Sequence, residues 1–151
     1  MSPPDQEALQ QRIGTVIAGK YRLVRLLGSG GGTVYAPLGP THLANEDLAI
    51  MRAIPNMTVV APCDADEMKR LMNQSLDWHG PLYIRIAKGG DKVVSSDARG
   101  FKIGEAIPMR EGQDVLLVST GITTQVALDA ADLLAKDGLS ATVLHVHTLK
   151  P

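Results

Sequence analysis

Gly39-Pro40-Thr41-His42-Leu43-Ala44-Asn45-Glu46-Asp47-Leu48-Ala49-Ile50-Met51-Arg52-Ala53-Ile54-Pro55-Asn56-Met57-Thr58-Val59-Val60-Ala61-Pro62-Cys63-Asp64 carries two periodicities in succession. Leu43, Leu48, Met51 and Ile54 fall near one face of a helix that starts at Thr41, a residue type suited to an N-cap, and stops at Pro55. Met57 to Ala61 then forms a short continuous apolar run, the pattern of a strand buried on both faces of a parallel sheet. Asp64 caps the next helix, along which Met68, Leu71, Met72 and Leu76 recur at helical spacing.

Working outward, Gly80-Pro81 turns the chain into a strand over Leu82 to Ile86, and Tyr21 to Leu27 reads as an earlier strand ending in the loop Gly28-Ser29-Gly30-Gly31-Gly32. Gln6 to Lys20 reads as a short helix, with Leu9, Ile13, Val16 and Ile17 on one side. Strand–helix–strand–helix–strand in this order predicts crossover units on a parallel sheet with flanking helices. From Lys88 to Gly112 glycines, charges and Ser95-Ser96 dominate, with weak strand signals at Val93-Val94 and Phe101 to Ile103, as in a linker. The pattern then restarts with a strand over Asp114 to Ser119, a helix over Thr123 to Lys136, Gly138 as its stop and a strand over Ala141 to His147. One such unit does not cover its sheet alone, so the end at Pro151 is expected to be a truncation.

Composition excludes several classes of function. The chain has 151 residues, enough to bury about two-thirds of its unfolded surface. A net charge of -1 gives no attraction to phosphate backbones, and 3% aromatics leaves few surfaces for base stacking, so nucleic acid is not an expected partner. No apolar stretch approaches a membrane span, no targeting segment is visible and the single cysteine, Cys63, closes no internal disulfide. The expected setting is cytoplasmic, without a membrane.

The glycine-rich stretch Gly28 to Tyr35, preceded by Lys20-Tyr21-Arg22-Leu23-Val24, looks like a protein-kinase phosphate-covering loop. Its spacing is one residue short, and no Val-Ala-Ile-Lys, His-Arg-Asp or Asp-Phe-Gly follows. The run from Gly39 to Asp64 resembles, over a much longer span, the pyrimidine-binding domain of transketolases, especially the split type whose C-terminal half is a separate subunit. Leu26 to Gly32 with Tyr35-Ala36-Pro37-Leu38 resembles the stretch before the same motif, and Gly80-Pro81-Leu82-Tyr83-Ile84-Arg85 the domain's last strand. Gly112 to Gly121 and Leu144 to Pro151 look like the start of the family's C-terminal domain.

The resemblance implies an α/β fold: a tail and N-terminal helix over 1–19, a partial pyrimidine-binding domain over 20–90, a linker over 91–112, and one βαβ unit opening a second α/β domain over 113–151. It implies thiamine diphosphate and Mg2+, shared with a partner subunit that carries the diphosphate-binding domain, and two-carbon ketol transfer between sugar phosphates. His42 of Gly-Pro-Thr-His would be catalytic, bordering the substrate, and Arg85 and Lys88 would bind the sugar phosphate. Which residues hold the cofactor is not fixed by the resemblance. Partners would be an N-terminal transketolase subunit, a second copy of the chain, or both. Deoxyxylulose-phosphate synthases share the architecture.

Three departures set the expectation for activity. Leu38 stands where classical transketolases place an aspartate that reads a substrate hydroxyl; upstream, the only acids are Asp5 and Glu7, so the family's catalytic glutamate is missing; and Gly90-Asp91 is followed by Lys92, without the Gly-Asp-Gly and later Asn of a diphosphate site. The chain alone is therefore expected to be inactive and to bind the cofactor weakly, and a non-catalytic association module is the competing reading. No metal site is expected: His42 and Glu46 share a helix face without a second histidine nearby, His145 and His147 face one side of a strand as packed residues, and Cys63 reads as a small buried filler.

Overall fold

The computed structural model describes residues 44, 46–87 and 90–151, together with the backbone of 16–17 and 21–22. Strands β1 (Val16–Ile17) and β2 (Tyr21–Arg22) form an antiparallel pair. This corrects the helix expected over Gln6 to Lys20 at its C-terminal end. Val16 and Ile17 are β-branched and Gly19 follows closely, a combination that favours pleated backbone over a helical turn. The rest of that helix and the loop Gly28 to Gly32 lie outside the described residues.

Helix α1 (Asp47–Ala53) ends ahead of Pro55, as its sequence predicts, but starts from Glu46. It buries no residue completely, and Ile50 and Ile54 remain exposed. Strand β3 (Thr58–Val60) is buried along its whole length, in keeping with its unbroken apolar run. Helix α2 (Ala65–Ser75) follows, with the Asp64 side chain accepting from the N–H groups of Asp66 and Glu67. Strand β4 (Leu82–Ile84) returns parallel to β3, which completes the crossover unit.

The segment expected as a linker is structured. A single turn of 3-10 helix (Asp97–Arg99) leads to strand β5 (Ile107–Arg110), in which Ile107 and Met109 are buried and Pro108 is exposed. Alternation is the strand signal here, and Pro108 masks it; β5 lies at an edge of its sheet, where a missing N–H is tolerated. Strand β6 (Val115–Ser119), helix α3 (Thr123–Lys136) and strand β7 (Ala141–His145) form the second parallel unit. Gly138 ends α3 with φ of 79°.

The final strand, expected to run unbroken to His147, stops at His145 and resumes as β8 (Thr148–Lys150). The sheet orders are β4-β3-β8 and β5-β7-β6, so β8 leaves the second sheet and pairs antiparallel with β3 of the first. Both three-stranded sheets are therefore mixed. Ile107, Met109, Ala131, Ala141 and Val143 form one buried cluster, and Val60, Leu71 and Ile103 the other. Phe101, the chain's sole phenylalanine, packs against both.

Candidate functional site

Two places gather chemistry-bearing side chains: the carboxyl ends of β3 and β4, and the buried seam where β7 passes into β8. In parallel α/β sheets the carboxyl ends of strands are where ligands bind, because helix starts and turning loops open a crevice there. Here that crevice is a cleft of about 190 Å3 lined by Pro62, Cys63, Asp64, Met68, Ile86 and Asp91 among others.

Asp64 forms one wall of the cleft and has no free oxygen. One oxygen accepts from Asp66 N–H, Glu67 N–H (2.8 Å) and Ser95 Oγ–H, the other from the N–H groups of Val94 and Ser95 (2.8 and 2.7 Å). Burial alone would raise its pKa, but these donors bring it down to about 2. Asp64 thus caps α2 and straps the 94–95 segment to it. Asp91, the cleft's other acid, is half-buried.

Arg85 follows β4 directly. Its Nη2 donates to Ala44 O (2.6 Å) and its Nε stands 3.3 Å from Asp47 Oδ2. Tyr83 donates to the same oxygen at 2.8 Å, and burial followed by that bond pushes its phenol up to about 12. These bonds tie the start of α1, just past the Gly-Pro-Thr-His string, to the end of β4. Of the residues singled out by sequence, Arg85 reaches this edge; His42, Leu38 and Lys88 lie outside the described residues.

The described residues do not fit thiamine diphosphate as a complete site. Asp64 is saturated by donors, Asp91 is only half-buried, and Arg85 is engaged with Asp47 and Ala44. Among the described residues, no buried acid with a free oxygen faces the cleft to meet an aminopyrimidine. No chemical step is therefore derived through that cofactor.

The seam holds polar groups that sequence reasoning treated as packing. Glu67, on the first turn of α2, is wholly buried; its Oε2 accepts from Cys63 N–H at 2.6 Å and lies 2.8 Å from His145 Nε2. His145 Nδ1 lies 2.8 Å from Thr124 Oγ1, which Ser119 Oγ reaches at 3.0 Å. Burial opposes charge on Glu67, yet the His145 bond and the Cys63 N–H hold its carboxyl below the ordinary range. Burial pushes the Cys63 thiol up, helped by the charges of Glu67 and Asp64, and pushes His147 down to about 4. Glu67 was missed because it sits within the apolar helix face. The signal was present: Asp64-x-x-Glu67 is the spacing of an N-cap acid with a glutamate that folds back toward the helix start.

The comparisons with known proteins agree with this architecture. Residues 9–90 match the family model "Transketolase, pyrimidine binding domain", and residues 104–151 match "Transketolase, C-terminal domain". A 6-deoxy-6-sulfo-D-fructose transketolase subunit of Clostridium sp. is 41% identical over 128 residues, which is 85% of this chain and 40% of that relative. A putative uncharacterized transketolase family protein of Sinorhizobium fredii is 41% identical over 114 residues, 75% of this chain and 33% of its own length. A solved split-gene transketolase, described as an inactive beta4 tetramer, superposes with a TM-score of 0.69 at 40% identity, covering 74% of this chain and 37% of that one. The chain thus spans two-fifths or less of these relatives.

Proposed function

The chain belongs to the transketolase family, and from that premise we propose that it works as the pyrimidine-domain side of a split, thiamine-diphosphate-dependent enzyme that moves two-carbon ketol units between sugar phosphates. The observation that carries this reading is the order of the two family matches, pyrimidine-binding domain and then C-terminal domain, in one chain. The family uses thiamine diphosphate. Groups for holding it come from a partner subunit with a diphosphate-binding domain and from residues other than those lining the cleft.

In this reading the chain's own side chains handle the sugar. His42 borders the reacting carbons and exchanges a proton near neutral pH, as an imidazole can. Arg85 keeps the segment after His42 in place through Ala44 O and Asp47. Its Nη1, which makes neither contact, and Lys88 meet the sugar phosphate. With Leu38 where the family has aspartate, selection among sugars rests on other contacts. The domain limits proposed are 20–90 and 113–151, with 91–112 between them as a structured connection. Two copies pair with two partner subunits in the active assembly; without them the chain self-associates and is silent.

Calorimetric titration of thiamine diphosphate and Mg2+ tests this, first into the chain alone and then into its complex with a diphosphate-domain subunit of a split transketolase. Heat and ketol transfer should appear only with the complex, and His42→Ala should then lower kcat by about 10²–10⁴. A complex verified by gel filtration that neither binds the cofactor nor turns over would leave the association module as the function.

A further inference from the structure

Three potential ligand atoms converge in the seam, two from residues four apart and the third from a residue 78 positions beyond Glu67. Cys63 Sγ, a Glu67 carboxylate oxygen and a His145 ring nitrogen all lie within 4.8 Å of one another, and all three residues are buried. They come from the loop after β3, the first turn of α2 and the last residue of β7, so three elements clamp the point between them. Glu67 Oε1 is buried with no hydrogen-bond partner, which is costly for a carboxylate unless something else meets it.

We propose that Cys63, Glu67 and His145 form a binding site for one divalent cation of the zinc class. The inference is independent of the ketol-transfer reading. Thiolate, carboxylate and imidazole are all ligand types that Zn2+ accepts, and four-coordinate geometry asks for ligand atoms about 3.3–3.8 Å apart, a small contraction or expansion from the present arrangement. Charge points to a dication. A thiolate and a carboxylate sum to -2, and the imidazole is neutral, so M2+ balances the three ligands, while the Asp64 carboxylate, 3.7 Å from Cys63 Sγ, adds a further negative charge that favours a cation there. The thiol proton goes to solvent as the metal–sulfur bond forms.

The hydroxyls behind His145 suit both states. Without metal, Ser119 donates to Thr124, Thr124 to His145 Nδ1, and His145 Nε2–H to Glu67. With metal on Nε2, the proton sits on Nδ1 and the chain reverses: His145 donates to Thr124, Thr124 to Ser119, and Ser119 to Leu144 O, 3.3 Å away. Such a donor-relayed histidine is the usual support behind a metal ligand. Entry is from the cleft, because Cys63 lines it as well as the seam.

The test is titration of the reduced, EDTA-treated full chain with Co2+. A thiolate-to-cobalt charge-transfer band should saturate at one equivalent and disappear when Zn2+ is added. Cys63→Ser should abolish the band, and His145→Asn should weaken affinity at least about tenfold, while the exposed His79→Asn changes nothing. Because Cys63 is the only cysteine, thiol-reagent kinetics on the unmutated chain give a second readout, and Zn2+ should slow that reaction at least about tenfold. No charge-transfer band in the folded chain, a band that survives in folded Cys63→Ser, or an unchanged thiol rate would each overturn the site.

Discussion

Gly112 shows how a single residue can be required by space alone. A Cβ built there would stand 2.4 Å from the Ala141 carbonyl carbon and 2.6 Å from its nitrogen, and backbone cannot give way as a side-chain tip can. Gly112→Ala should cost about 1–3 kcal/mol of stability in urea unfolding, as overpacking does. Asp64→Ala should cost about 3 kcal/mol, since it removes a helix cap and also the acceptor for Val94 and Ser95 N–H. His147 and Asp64 are two of the groups that set the response to acid in EDTA-treated protein, beside the Glu67 and Asp114 carboxyls, which hydrogen bonds also hold low. His147 has its folded pKa at about 4, below the ordinary imidazole, so the unfolded chain takes the proton first and stability falls as pH drops from about 6.5 toward 4. Asp64 is depressed to about 2, so its contribution is intact above about pH 4 and is lost as pH falls toward 2. Urea midpoints at pH 7, 5 and 3 should decline in that order, and a midpoint equal at pH 7 and 5 would contradict the account of His147.

Elements were legible wherever one periodicity ran undisturbed. Helix α3 occupies the span its pattern predicts, because apolar spacing and Gly138 agree on where it stops. Strand β3 was readable from Met-Thr-Val-Val-Ala alone. Strand β5 was hidden, since its alternation covers four residues and contains a proline. The break between β7 and β8 was hidden for another reason: Val146 and His147 are good strand residues, and only their hydrogen bonds to other strands end the run. The candidate site divides in the same way. The place of Arg85 at a strand end was legible from Gly80 to Arg85, whereas Glu67 lay concealed because helical spacing identifies a face without saying what its buried polar groups meet. At this scale Lys150 is informative. Its Nζ donates to Arg52 O and Ile54 O, supplying a cation to the carbonyl end of α1, a short helix with no fully buried residue. Lys150→Met should cost about 0.5–1 kcal/mol and should speed amide exchange in α1 before that of α2.

Across the whole molecule, the two sheets share backbone as well as side chains. Val146 N–H donates to Ser119 O at 2.8 Å, Ala61 N–H to His147 O at 2.8 Å, and Gly121 N–H to Ala61 O at 3.1 Å, so the ends of β3 and β6 and the β7–β8 crossing are bonded at one point. The Phe101 ring lies 4.4 Å from that of His147, and Gln74 of α2 bonds the backbone of both Phe101 and Ile103. Unfolding should therefore be one transition, with the Ala61 and Val146 amides exchanging only at the global rate. Phe101→Ala should lower stability by about 2–4 kcal/mol and destabilise both sheets together. The crossing strand also has a consequence for anyone who cuts the chain. Severed between 112 and 113, each piece would keep a sheet missing one strand, since β8 would leave with the second half and β5 stay with the first. Neither piece should fold by itself, while an equimolar mixture should reassemble, making fragment complementation a direct readout of how tightly the halves are interwoven.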